Sequence, residues 1–202
     1  MKKIVVIILL LNFFTAFSQV ALKVIYVRPT GPMGMVVKPA IGGEVFFKAF
    51  EEDQDENFIP RFGIGFIKFA TRLDTFPVTG VITSNTTTVT PGYITYSKFN
   101  MAYFFGGVEY RIKLHKKLYL SPGIDINVGS KSISYQAKYP LISDQGYSGG
   151  SAYIGIRPRI GLDFFITEDI VVFSEATRNM NLVVKEAFIA HNDYGIGLRI
   201  NF

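Results

Sequence analysis

The chain has no cysteine among its 202 residues. That absence excludes disulfides, a cysteine-lipidated N-terminus, thiolate metal sites and cysteine nucleophiles together. Histidine is scarce too, with only His115 and His191 present. Beyond the first residues no apolar run approaches the roughly 20 residues that a membrane-spanning helix needs. There is no low-complexity tract, no linker and no repeat longer than a single strand, and the basic residues are scattered among acidic ones rather than gathered into a run. The glycines at 63, 65, 106, 107, 195 and 197 fall inside strand-like segments that no helix follows, so a phosphate-cradling loop is excluded as well.

What is present begins at the N-terminus. Lys2 and Lys3 precede the apolar residues 4–11, and Thr15-Ala16-Phe17-Ser18 supplies a small-residue cleavage site. Residues 1–18 are therefore expected to be a signal peptide cut before Gln19, rather than an anchor, because the run is short and Asn12 interrupts it. The formal charge of +5 shrinks when Lys2 and Lys3 leave with the leader. With an exported address, that modest balance argues against nucleic acid as a partner.

The remaining residues, 19–202, read as one domain. The composition leans toward β, with 19 Phe, 11 Tyr and 19 Gly. At the C-terminus Tyr194, Ile196, Leu198, Ile200 and Phe202 alternate with Gly195, Gly197, Arg199 and Asn201. Period two means a strand with one apolar face. The same alternation runs through 154–164 and 118–129, and weaker versions occupy 22–28, 41–50, 60–69 and 104–112. Residues 170–184 read as a strand by propensity, although Ile170-Val171-Val172-Phe173 leaves its facing open. Strands are thus expected near 20–28, 36–50, 58–72, 95–113, 117–135, 149–166, 170–184 and 191–202.

The connections alternate between short polar turns (51–57, 114–116 and 167–169) and a second set (29–35, 73–94, 136–148 and 185–190) that includes two long loops. A hairpin is expected around Ser84-Asn85. Short turns at one end and long loops at the other are the pattern of an all-β, closed antiparallel up-and-down transmembrane β-barrel of about eight strands. In such a barrel the apolar face meets lipid and the polar face fills the lumen. The inward set is then Glu44, Lys48, Arg61, Glu109, Arg111, Asp125, Arg157, Arg159, Asp163 and Arg199. Its mixed signs favour a plug of salt bridges, with a polar conduit or binding pocket as the alternative. Tyr26, Phe66 and Tyr194 are expected in the outer aromatic girdle and Tyr110, Phe164 and Phe202 in the inner one. Pro122 and Pro158, lying mid-strand, are expected to mark bulges.

The ending Gly197, Ile200 and Phe202 resembles the C-terminal assembly signal of bacterial outer-membrane proteins, although Gly195 stands where that signal usually has a polar residue. Over 19–202 the chain resembles the outer-membrane β-barrel domain family of small OmpA-like and PorT-like proteins. The resemblance implies the outer membrane as location, its lipid and the barrel assembly machinery as partners, and little about activity. With the last strand ending the sequence, no periplasmic peptidoglycan-binding domain is expected.

Candidate chemistry is thin. His191 has Asp193 two residues on, where lipid A hydrolases of barrel form carry a serine, so the nucleophile is missing. His115 beside Lys116 and Lys117 reads as a solvated turn. The acidic residues of 51–57 lack the spacing of a calcium loop. The expectation is a non-enzymatic barrel without cofactor or metal, structural or interacting with an envelope protein partner. A small porin-like or ligand-binding barrel is the first alternative and a lipid-modifying barrel enzyme the second.

Overall fold

Each stretch of period-two alternation folds as a strand. A computed structural model describes residues 19–49, 58–73, 75–83, 87–140, 142–183 and 189–202. Residues 1–18, expected as a leader, 51–57, expected as a polar turn, Ser84-Asn85 of the expected hairpin, and 185–188 of the connection expected at 185–190 lie outside the described residues.

The strands are β1 (Gln19–Thr30), β2 (Ala40–Lys48), β3 (Phe58–Phe69), β4 (Phe76–Thr83), β5 (Thr87–Tyr110), β6 (Ile112–His115), β7 (Leu118–Tyr139), β8 (Ile142–Phe165), β9 (Ile170–Val183) and β10 (Ile189–Asn201). They make one 10-stranded sheet in which β5 also pairs with β7. Eight of them close a ring in the order β1-β2-β3-β5-β7-β8-β9-β10, while β4 and β6 pair outside it. The seam joins the first strand to the last, from Gln19 opposite Asn201 to Thr30 opposite Ala190. Closure satisfies the backbone groups that an open edge would leave bare in hydrocarbon, at several kcal/mol each.

Side-chain orientation follows the alternation. Ile196, Leu198 and Ile200 are 63%, 53% and 49% exposed on the outside, whereas Arg157 and Arg199 are wholly buried inside. A water-soluble barrel has the opposite polarity, so this exterior is a lipid-facing surface. All six expected girdle residues point outward. Tyr26 stands directly opposite Tyr194, and Phe58 and Tyr110 pack at 5.0 Å at the other end. Among the described residues no helix is long and apolar enough to cross a membrane.

The hairpin expected within 73–94 is present: β4 folds back on β5 from Phe76 opposite Ile94 to Thr83 opposite Thr87. Two expectations need correction. The loop expected at 136–148 is largely strand, since β7 and β8 stay paired up to Tyr139 opposite Ile142. With 24, 22 and 24 residues, β5, β7 and β8 far exceed the roughly 9–11 that cross a bilayer. They rise as an extension beyond the ring, where their threonine and tyrosine content favours strand in water as well as in lipid. The prolines, too, make no bulge. Pairing on β7–β8 runs through Pro122 and Pro158 in unbroken register. What each lacks is an N–H toward its other neighbour: the β5–β7 ladder ends at Gly123, and the β8–β9 ladder skips from Ile156 to Arg159.

Candidate functional site

A ring of eight strands encloses little more than the volume of its own inward side chains. The base of the ring is the end carrying Gln19 and Phe202, and its mouth is the end from which the extension rises.

Charges fill the lower and middle levels. Arg61 on β3 donates to Asp125 on β7 from Nε at 3.1 Å and from Nη2 at 2.8 Å. Its Nη1 reaches Glu175 on β9 at 2.7 Å. Glu175 also accepts from Lys23 Nζ at 2.6 Å and from Arg159 Nη1 at 3.2 Å. Arg159 continues to Glu109 Oε2 at 2.9 Å, and the other oxygen of Glu109 takes Lys48 Nζ at 2.7 Å. Nearer the base, Arg199 Nη1 donates to Asp163 at 2.6 Å. Glu44 receives Lys23 and Arg157, together with the Tyr103 hydroxyl at 2.6 Å. Arg111 sits at the base, half-buried and 4.0 Å from Glu109.

The other nine residues of the expected inward set are buried. Each has a partner of opposite charge, as ions removed from water require. Aromatic rings pack between them. The Arg61 guanidinium lies 4.7 Å from the Phe46 ring centre, and that of Arg157 lies 4.4 Å from Phe105. Such contacts are worth about 2 kcal/mol or more when desolvated.

Sequence reading missed Lys23, Glu175 and Tyr103. Lys23 has inward parity once Leu22, Val24 and Tyr26 are set against lipid. Glu175 was hidden by the ambiguous start of β9, where Val171 and Phe173 prove to face inward with it. The interior aromatics Phe46, Phe105 and Phe173 left no signal, since alternation labels an inward phenylalanine as an exception.

Above the charges lies a polar layer. Asp193 accepts from Asn179 Nδ2 at 2.6 Å and pairs with His191 Nδ1 at 2.7 Å, while Asn127 donates to Asn181 at 3.0 Å. His191 is buried, so the imidazole faces the interior and not the lipid. At the mouth, Val27, Val37, Ile67, Phe69, Phe99, Met101, Val183 and Ile189 form an apolar layer, joined by Met33 from a one-turn helix, Pro32–Val36. Among the described residues no cluster of histidine and carboxylate side chains could hold a metal ion.

The three residues of the expected assembly signal lie at the base and seam. Phe202 and Ile200 point outward, and Gly197 faces inward, opposite Lys23, with the Phe173 ring packed where a Cβ would stand.

An antiparallel ring with a lipid-facing exterior and a charged, aromatic interior defines the class of small transmembrane outer-membrane β-barrels. Solved structures agree on the fold. The chain is similar to Neisserial surface protein A, with a TM-score of 0.53 and 12% identity over 91% of this chain and 96% of that one. It is similar to Ail, the attachment invasion locus protein of Yersinia pestis solved with the heparin analogue sucrose octasulfate (TM-score 0.53, 9% identity, 91% and 97%). A major outer membrane protein of Thermus thermophilus has a TM-score of 0.51 at 8% identity, over 90% and 98%. No protein-family model matches the sequence, and no curated protein is similar to it.

Proposed function

We propose that this chain is an integral outer-membrane protein whose interior is plugged by its own side chains and whose role is structural or interactive, exercised from the extension above the ring. It carries out no catalysis of its own. In this reading residues 1–18 direct export and are cut before Gln19, the barrel assembly machinery reads Gly197, Ile200 and Phe202, and the partner is another envelope protein. The main support is the Arg61–Glu175 ion pair, which joins strands on opposite sides of the ring at 2.7 Å. The apolar layer at the mouth supports it further, because a conduit for ions or polar solutes would have to pass it. The purified barrel in a planar bilayer should remain non-conducting; steady conductance would overturn the plugged interior.

A ligand-binding barrel is the second reading, favoured by the polar layer. There Asn127 Oδ1, Asn179 Oδ1, Asn181 Nδ2 and the Tyr153 hydroxyl are buried without a protein partner. Co-purification of a small polar molecule, lost on Asn179→Leu, would favour it over the first.

A further inference from the structure

The outer surface of the ring is not uniformly convex. Where β2, β3, β5 and β7 run side by side, an open groove of about 600 Å³ is lined by Gly43, Val45, Phe66, Ala102, Phe104 and Val128. Its volume falls within the roughly 300–1,000 Å³ of small-molecule sites. The register explains the hollow: Gly43 and Ala102, both outward and small, flank Phe66 on its two sides. All six positions face outward, on the lipid side of the wall.

Directly beyond the groove the chemistry changes sign and polarity. From Phe58 to Lys68 the outward positions of β3 climb about 33 Å along the strand. At a tilt of about 40° that is roughly 25 Å of height, the span of an apolar band. Lys68 therefore stands at the outer interface, two residues past Phe66. Lys38 and Arg72 are fastened beside it, since Lys38 N donates to Ala70 O at 2.8 Å and Arg72 N to Val36 O at 2.9 Å. All three side chains are exposed. Glu44, Glu109 and Asp125, the carboxylates of the described residues on the same strands, are turned into the interior and offset none of this charge.

We propose that groove and basic patch form one site for an acylated lipid whose phosphate headgroup carries net negative charge, the acyl chain lying along Phe66 and Phe104 and the phosphate meeting Lys38, Lys68 and Arg72. The inference rests on the outer-membrane reading, and extends it by naming a lipid class and a place on the wall. An apolar groove in a bilayer takes an acyl chain by default; three cations at its outer end select for an anionic head.

Native mass spectrometry of the detergent-solubilised barrel, with bisphosphorylated lipid A and phosphatidylcholine as probes, tests it. The protein should retain lipid A under activation that strips phosphatidylcholine. Lys38→Gln, Lys68→Gln and Arg72→Gln should each weaken retention roughly fivefold, as about 1 kcal/mol per interfacial cation implies. Gly43→Leu should weaken it by filling the groove, and a Cβ there meets nothing nearer than 3.8 Å, so folding is spared. Equal retention of the two probes, or retention unchanged in all four variants, overturns the site. Heat-modifiable gel mobility separates the two levels: a heat-modifiable barrel with no lipid preference sinks this inference alone, whereas a chain soluble without detergent sinks the membrane reading with it.

Discussion

Arg61 on β3 and Glu175 on β9 meet at 2.7 Å although their strands stand on opposite sides of the ring. Glu175 is shared by Lys23 and Arg159 as well, so one carboxylate anchors three cations from three strands. Removing it leaves positive charge buried with too few counter-ions, a change that typically costs about 3–5 kcal/mol. Glu175→Ala should therefore lower the free energy of unfolding, measured in urea, by that order. Glu175→Gln, which keeps an acceptor oxygen and the side-chain volume, should cost less. Equal stability of both variants and the parent would mean that the network contributes nothing to the fold.

The exterior makes a depth-dependent prediction. Ile196 lies midway along the outward face of β10, and Tyr194 lies one outward position nearer the mouth, opposite Tyr26. An arginine on the lipid face costs about 2–4 kcal/mol at mid-bilayer and about 0–1 near the interface. Ile196→Arg should thus destabilise the barrel in lipid vesicles far more than Tyr194→Arg. In a soluble protein of the same fold the two substitutions would differ little, so the contrast tests the environment and not the side chain.

Most of the ring was legible because lipid outside and polar contents inside impose the same two-residue period on every strand. Arg157 and Arg199 could be placed inside from the parity of Ile196, Leu198 and their neighbours alone. Legibility failed where the period carries no contrast. At the start of β9 both faces are apolar, and Glu175, a carboxylate shared by three cations, was lost with it. In the extension no bilayer imposes an apolar face, so the upper parts of β7 and β8 read as a loop, while the threonine- and valine-rich hairpin of β4 and β5 was expected. The apolar layer at the mouth was invisible for a third reason: Ile67, Phe69, Phe99 and Met101 are apolar residues on a face expected to be polar, and only the assembled ring shows that they meet.

The C-terminal aromatic yields a prediction about assembly and not about stability. Phe202 is 81% exposed and sits beyond the last residue of β10. A side chain so placed contributes little to packing against the rest of the chain. Phe202→Ala should leave the free energy of unfolding of refolded protein unchanged within about 0.5 kcal/mol, the usual range for an exposed substitution, while reducing the fraction of heat-modifiable barrel recovered from cell envelopes. Equal recovery from cells would remove Phe202 from any assembly signal.

The extension is held by a row of rings that crosses four strands. Phe76 on β4 packs on Tyr96 of β5 at 5.4 Å, Tyr96 on Tyr135 of β7 at 5.6 Å, and Tyr135 stacks on Tyr147 of β8 at 5.2 Å. Tyr96, Tyr135 and Tyr147 are direct register partners, so the row follows the sheet and not a loop. Aromatic pairs contribute about 0.5–1.5 kcal/mol each beyond area burial, and Tyr135 belongs to two of them. Tyr135→Ala should accelerate amide hydrogen exchange in the upper parts of β5, β7 and β8, with exchange in the ring unaltered, because local opening of the extension does not require the barrel to unfold. If the ring strands exchange faster as well, extension and barrel are one cooperative unit. In that case a partner docking on the extension would stabilise the whole molecule, and not the extension alone.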